Sequence, residues 1–189
     1  INYWAKKFKI DIVGGDICRS DKLVIDISMV GLVEKRNLVL RSGAKINDII
    51  FVTGNLGAAR LNKHLSFKPR LKEARYLVRN FKINSMIDIS DGLTLDLSHI
   101  LKESNTGAII YEKLIPLSKD CLNIKEALYM GEEFELLFSL SVDEAKRLLA
   151  SKRKIYSAIG QITKGRYGLR LIDRNCKEKI LKPKGFCHF

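Results

Sequence analysis

The chain has 189 residues, 46% of them apolar, which is enough to bury a sizeable globular core. No apolar run approaches the roughly 20 residues of a membrane-spanning helix and no charged-then-apolar leader opens the sequence, so we expect a soluble, cytoplasmic protein. The 34 Lys and Arg against 21 Asp and Glu give a net charge of +13, which favours an acidic partner such as a nucleotide, a nucleic acid or an anionic lipid.

The basic residues are scattered through predicted helices and turns, which favours solvated faces over a nucleic-acid groove. The four cysteines lie far apart and form no C-x-x-C pair. Free thiols in a reducing compartment therefore fit better than a disulfide framework or a zinc site. Because the chain opens with Ile1 in a helix-like segment, we expect it to be a piece of a longer protein.

The first third of the chain predicts a short amphipathic helix over 1–9 and strands over 10–13 and 23–30. Between the strands, Gly14-Gly15-Asp16 would let the backbone approach a ligand and let Asp16 ligate a metal. The same three residues also fit an ordinary turn. Arg41, in a polar loop, could reach a nucleotide phosphate, although an exposed loop arginine needs no such role.

A clear strand at 48–53 leads through a glycine turn into a helix predicted over 58–65. The pattern matches neither a P-loop nor a dinucleotide-binding fingerprint. Pro69 suits the first position of a further helix that runs to about Asn80.

The stretch Met86-Ile87-Asp88-Ile89-Ser90-Asp91-Gly92-Leu93 places two carboxylates and a hydroxyl where a buried strand passes into a helix of residues 92–103. We expect Asp91-Gly92 to supply the helix cap and the helix start to face phosphate. A divalent metal bridging Asp88 and Asp91 to phosphates would relieve the repulsion between the two acids. An Asx turn with one exposed capping aspartate fits the same residues.

The remaining elements alternate, so the fold class is α/β or α+β. We predict strands over 108–111, 136–140 and 155–162, a hairpin over 169–172 and 179–181, and helices over 124–128 and from the capping box of Ser141 to Ala150. Glu132 and Glu133 could grip a substrate or an ammonium group, or form a solvated turn. The aromatic tail, residues 185–189, could pack on the core or stack on a ring.

Several motifs occur in one order along the chain: Val13-Gly14-Gly15-Asp16, Arg41-Ser42-Gly43-Ala44-Lys45, Val52-Thr53-Gly54, Asp88-Ile89-Ser90-Asp91-Gly92-Leu93, Gly131-Glu132-Glu133-Phe134-Glu135-Leu136-Leu137-Phe138, Ile159-Gly160-Gln161-Ile162 and Gly185-Phe186-Cys187-His188-Phe189. Together they resemble the thiamine-monophosphate kinase family, in the superfamily of aminoimidazole ribonucleotide synthetase. The resemblance covers the later part of that family's sequence.

The resemblance implies a remnant of an N-terminal nucleotide-binding and dimerisation domain over 1–44 and a C-terminal α+β domain over 45–189. It also implies transfer of the γ-phosphoryl of ATP to thiamine monophosphate with Mg²⁺, in a homodimer, without a membrane or nucleic-acid partner. Carried over by position, the implied roles are Mg²⁺ ligation and catalysis by Asp88 and Asp91, Mg²⁺ and ATP contact by Asp16, ATP contact by Gly15, Arg41 and Ser90, thiamine binding by Glu132 and ring stacking by Phe186.

Three departures from the family pattern bear on activity. The acidic N-terminal metal motifs lie upstream of Ile1, Ile17-Cys18 replace threonines, and Met130 replaces a glycine. A catalytically silent remnant that serves as a binding or dimerisation module therefore stays open. A superfamily member with another phosphate acceptor, and nucleic-acid binding through the positive charge, stay open as well.

Overall fold

The computed structural model describes residues 1–59 and 63–186, and the chain forms two compact units, Ile1–Val33 and Glu34–Phe189. Every residue of the first unit is described, and its only helix or strand is α1 (Asn2–Phe8). The rings of Trp4 and Phe8 stack there with centroids 5.8 Å apart. The helix predicted at the start of the chain is therefore confirmed.

The strands predicted over 10–13 and 23–30 are wrong, because neither segment joins a sheet. A strand needs a neighbour for its N–H and C=O groups, and among the described residues the first unit makes no hydrogen bond between two backbone groups beyond Ile10. The apolar side chains that suggested strands lie in water instead; Val13 is 97% and Val30 100% exposed.

The second unit is a seven-stranded sheet with helices on both faces. Its strands are β1 (Ile49–Thr53), β2 (Ile83–Asp88), β3 (Thr106–Tyr111), β4 (Leu136–Leu140), β5 (Tyr156–Lys164), β6 (Leu169–Ile172) and β7 (Glu178–Ile180). The helices are α2 (Lys63–Ser66), α3 (Leu71–Asn80), α4 (Leu93–Ser104), α5 (Ile124–Tyr129) and α6 (Val142–Ala150). The strand order is β2-β4-β1-β5-β3-β6-β7, antiparallel except where β3 pairs with β6.

Side-chain alternation in the central strands divides the core into two layers. Ile50 and Val52 of β1 join the cluster that covers α4 and α5. Phe51, between them in sequence, joins the opposite cluster with Leu77 of α3 and Leu148 of α6. The sheet thus lies between α4 and α5 on one face and α3 and α6 on the other.

The mixed α/β (α+β) class is confirmed, as are the strands and helices predicted from residue 69 onward, within a few residues. α3 begins at Leu71 rather than Pro69, and Ser141 caps α6 by accepting from the N–H of Glu144.

Part of the helix predicted over 58–65, residues 60–62, lies outside the described ranges, and the domain boundary at 44/45 stays a prediction. None of the helices in the described ranges is long and apolar enough to cross a bilayer.

Candidate functional site

The junction between β2 and α4, residues 88–92, is shaped by a buried isoleucine and a glycine. Ile89 is fully buried, and its N–H donates to the carbonyl of Glu135 at 2.7 Å. Gly92 has φ 127°, and a Cβ there would lie 2.9 Å from the carbonyl oxygen of Tyr129, so the position requires glycine. Backbone contacts with a distant segment of the chain therefore fix this turn.

Asp91 does not cap α4, contrary to the expectation from the sequence, because the N-cap residue is Gly92 and makes no side-chain hydrogen bond. The carboxylate of Asp96, a residue only 1% exposed, accepts hydrogen bonds from the N–H groups of both Asp91 and Gly92 at 3.0 Å. Asp96 lies one turn into the helix, and helical side chains point back toward the N-terminus. Two donors expected to face phosphate are thus occupied.

Three side chains at this junction have the geometry of a cation site. Asp91, Asp96 and His99 each offer one ligand atom, and the three atoms lie within 4.8 Å of one another. Burial raises the pKa of Asp96 to about 6; the two backbone N–H groups oppose this, while the charges of Asp91 and Asp88 add to it. A divalent cation would offset both the burial and the repulsion, so the donor set fits one.

Sequence reasoning missed Asp96 and His99 as members of this group. Residues three apart on a helix are neighbours on its surface, and both lie in the helix that follows Asp91. That spacing was a usable signal. What it did not reveal is that the side chain of Asp96 turns back onto the junction.

Arg41, which was predicted to bind phosphate, lines a cleft of about 600 Å³ together with Asp88. The N–H of Met86, on the edge strand β2, donates to the carbonyl of Leu40 at 3.0 Å, so the loop that carries Arg41 runs beside the end of that strand. The lining residues are Val39, Leu40, Arg41, Ser42, Met86, Ile87, Asp88 and Glu103. Arg41 and Asp88 therefore line one opening at the strand end.

The turn that carries Glu132 packs directly on the junction. The N–H of Glu132 donates to the carbonyl of Ser90 at 2.7 Å, and that of Phe134 donates to the carbonyl of Ile89 at 2.8 Å. Glu132 is exposed, whereas Glu133 is completely buried. Of the two acids that the sequence offered for gripping a substrate, Glu132 alone faces solvent.

Phe186 reaches the junction from the C-terminal segment. Its N–H donates to the carbonyl of Asp91 at 2.9 Å, and the hydroxyl of Thr94 donates to the carbonyl of Lys184 at 2.8 Å. Phe186 is 57% exposed, so a large part of its surface faces solvent. The rest of the predicted aromatic tail, residues 187–189, lies outside the described residues.

Gly15 and Asp16 belong to the first unit. The carboxylate of Asp16 accepts from the N–H of Ile17 at 2.8 Å, within its own turn. Their contacts with a nucleotide and a metal stay predictions.

Comparison with known proteins identifies the family to which this chain belongs. Residues 21–172 match the family "AIR synthase related protein, C-terminal domain". A thiamine-monophosphate kinase from Buchnera aphidicola subsp. Schizaphis graminum is 41% identical over an alignment that covers 97% of this chain and 65% of that protein. The kinase from Buchnera aphidicola subsp. Acyrthosiphon pisum is 36% identical, over 100% of this chain and 70% of that protein.

Solved structures support the same relationship. AaThiL complexed with AMPPCP and TMP has a TM-score of 0.65 and 26% identity, covering 80% of this chain and 54% of that one. The hydrogenase maturation protein HypE in complex with ATP has a TM-score of 0.65 at 18% identity, and shares the fold. The chain spans about half the length of these solved proteins. Through its AIR synthase related C-terminal domain, it belongs to the thiamine-monophosphate kinase family.

Proposed function

We propose that the protein to which this chain belongs transfers the γ-phosphoryl group of ATP to thiamine monophosphate, giving thiamine diphosphate and ADP. The curated relatives carry the name of this activity, and AaThiL was solved with AMPPCP, an ATP analogue, and TMP. The chain covers only part of each relative, so the activity is proposed for the whole protein and binding for this part of it.

The observation that carries the proposal is the convergence of three segments on one turn. The junction at 88–92 accepts backbone hydrogen bonds from Glu132 and Phe186, and its first residue, Asp88, shares a cleft with Arg41. Residues proposed for the ring and residues proposed for the phosphates thus meet within a few residues of chain. A kinase needs this arrangement because donor and acceptor phosphates must be aligned.

The roles follow from side-chain chemistry. Arg41 would bind the ATP phosphates through its planar, permanently charged guanidinium group, and the hydroxyl of Ser90 would also contact ATP. Glu132 would hold the positively charged thiamine moiety while Phe186 stacks on its ring. The accepting group is already an ionised phosphate, so these residues need to bind and orient rather than remove a proton.

Mg²⁺ is part of the proposal, with Asp88 and Asp91 as ligands and Asp16 as a further ligand that also contacts ATP beside Gly15. The carboxylate oxygens at the junction, including the buried Asp96, are the donor type that Mg²⁺ prefers. Bound Mg²⁺ would neutralise phosphate charge.

We also propose that the full-length protein is a cytoplasmic homodimer, with residues 1–44 as the end of its N-terminal domain and 45–189 as its C-terminal domain. The exposed apolar side chains of the 23–33 segment support an interface there, since an interface would remove them from water.

The proposal is tested by isothermal titration of this chain with ATP, with and without Mg²⁺, and with thiamine diphosphate. We expect Mg²⁺-dependent ATP binding that weakens at least about tenfold in Asp88→Asn, because the variant removes the charge of one of the two proposed Mg²⁺ ligands. Asp143→Asn, an exposed aspartate at the start of α6, serves as the matched control and should bind ATP as the unaltered chain does.

Equal ATP affinity in Asp88→Asn and the unaltered chain would contradict the proposed site. Loss of ATP binding in both variants would mean that aspartate charge in general, not Asp88, supports binding. ATP binding without any affinity for thiamine diphosphate would favour another phosphate acceptor, and no binding of either would favour a silent module.

A further inference from the structure

An ion cluster with buried carboxylates and partly exposed cations lies behind the turn that carries Glu132. It consists of Glu133, Glu135, Lys63 and Arg70. Arg70 donates two hydrogen bonds to Glu135, each 2.6 Å, and Lys63 lies 2.8 Å from Glu133 and 3.2 Å from Glu135. The side chains of the two acids are 0% and 2% exposed, so both carboxylates are held away from water.

The two carboxylates accept further hydrogen bonds from other residues of the second unit. Glu133 accepts from the N–H groups of Gly57 and Ala58 at 2.6 and 3.1 Å. Glu135 accepts from the hydroxyl of Thr53 at 2.6 Å. Gly54 makes room for Glu135, because a Cβ there would clash with its carboxylate. The surrounding chain is therefore shaped to hold two carboxylates.

Stability alone is a weak explanation for this arrangement. Removing an ion from water is costly, and well-packed apolar residues are often at least as stabilising as a buried ion pair. What such a cluster provides is a single geometry, because removing one partner leaves the others buried and unpaired. The role of the cluster should therefore be sought in the segment of the chain whose geometry it fixes.

That part is the turn between α5 and β4, which packs on the junction. Glu132 and Phe134 have φ of 63° and 51°, in the left-handed region that is strained for a non-glycine residue. Glu133 and Glu135 alternate with these strained residues and are tied to the segment 53–58 and to α3. The ring of Phe134 also stacks on Phe67, with centroids 4.2 Å apart. The buried ties hold the backbone in a conformation that directs Glu132 outward.

We propose that Glu133, Glu135, Lys63 and Arg70 are positioning residues that hold Glu132 in place to bind the charged ring of the substrate. The inference rests on the proposed function, which assigns ring binding to Glu132. It adds that ring affinity depends on an arginine and a lysine that need not touch the ligand. Arg70 donates two parallel hydrogen bonds to Glu135 through its guanidinium group, so substitution of Arg70 tests the inference most directly.

The test compares Arg70→Lys and Glu135→Gln with Arg75→Lys, a matched control at an exposed position of α3, the helix for which Arg70 is the N-cap residue. Arg70→Lys keeps the charge but loses the two parallel hydrogen bonds. Amide hydrogen exchange at Glu132 and Phe134 reports whether the turn stays docked on Ser90 and Ile89. Titration with ATP and with thiamine diphosphate reports the two affinities separately.

We expect faster exchange at these two amides in both variants, with strands β1 and β5 unchanged. Thiamine diphosphate affinity should fall about tenfold to a hundredfold while ATP affinity stays within about twofold, since a small misplacement of a binding group has effects of that size. Arg75→Lys should match the unaltered chain in every readout.

Uniformly faster exchange across the sheet would overturn the inference, because it would mean a general stabilising role. Unchanged thiamine affinity in Arg70→Lys and Glu135→Gln would also overturn it, and would leave the proposed function standing. If the unaltered chain binds ATP but no thiamine diphosphate, the proposed acceptor fails and the inference fails with it.

Discussion

At the scale of single residues, close backbone packing holds the C-terminal segment on the junction. A Cβ on Gly185 would clash with the carbonyl oxygen of Asp91 and lie 2.9 Å from the side chain of Leu95. The main-chain bond from Phe186 to Asp91 depends on that close approach. The glycine thus decides where Phe186 lies.

We therefore predict that Gly185→Ala moves Phe186 away from the junction and weakens thiamine diphosphate binding about tenfold, as loss of one ring contact does. Isothermal titration measures the change. Gly31→Ala is the control, because a Cβ there meets no heavy atom within 4 Å. Unchanged ring affinity in Gly185→Ala would remove Phe186 from the binding site.

The sequence predicted residues whose role is set by local pattern and missed those whose role depends on distant contacts. The strand-to-helix junction that carries Asp88 and Asp91 was predicted correctly because it is recognisable over eight residues, while the roles of the two aspartates stay predictions. The burial of Glu133 was not predicted, because its partners Gly57 and Ala58 lie more than seventy residues earlier in the chain. Hydrogen bonds of that separation leave no local periodicity to detect.

At the scale of elements, helices were easier to predict from the sequence than strands, because a strand depends on contacts with a distant part of the chain. An amphipathic helix satisfies its own backbone, so α3, α4 and α6 were predictable from spacing alone. A strand exists only beside another strand, and alternation over 23–30 says nothing about whether a neighbour is present. The structure gives that segment no such neighbour among the described residues.

The hairpin of β6 and β7 depends on one carboxylate in its turn. Asp173 accepts from the N–H groups of Asn175 and Lys177 at 2.8 and 2.9 Å, and Lys179 lies 2.7 Å away. The bond from Lys179, followed by these backbone bonds, lowers the pKa of Asp173. A carboxyl whose folded pKa is depressed contributes stability above its unfolded pKa, about 4, and loses it as pH falls through the folded value.

Asp173→Asn should accordingly lower the free energy of unfolding at pH 7, and the difference from the unaltered chain should shrink in acid. Urea unfolding at pH 7 and again near pH 2.5 measures both quantities. Asp21→Asn, in the exposed part of the first unit, should behave as the unaltered chain at either pH. A difference that persists unchanged in acid would show that the ionised carboxylate is not what holds the turn.

At the scale of the whole molecule, the two units differ in how their backbones are satisfied. The second unit has its strands in one sheet with two apolar layers, whereas residues 11–33 make no hydrogen bond between two backbone groups of described residues. Proteases cut where a segment can adopt an extended shape without breaking such bonds. Cleavage should therefore begin in the first unit, at Arg19 and Lys22, and continue to Lys35 and Arg36.

Brief trypsin treatment followed by mass spectrometry should then yield a persistent fragment that begins near Asn37 and retains the sheet. Its thermal unfolding, followed by circular dichroism, should match that of the intact chain, because the two core layers consist of residues from 44 onward. A first cut within β1 or β5, or a fragment that no longer unfolds cooperatively, would mean that the first unit supports the sheet.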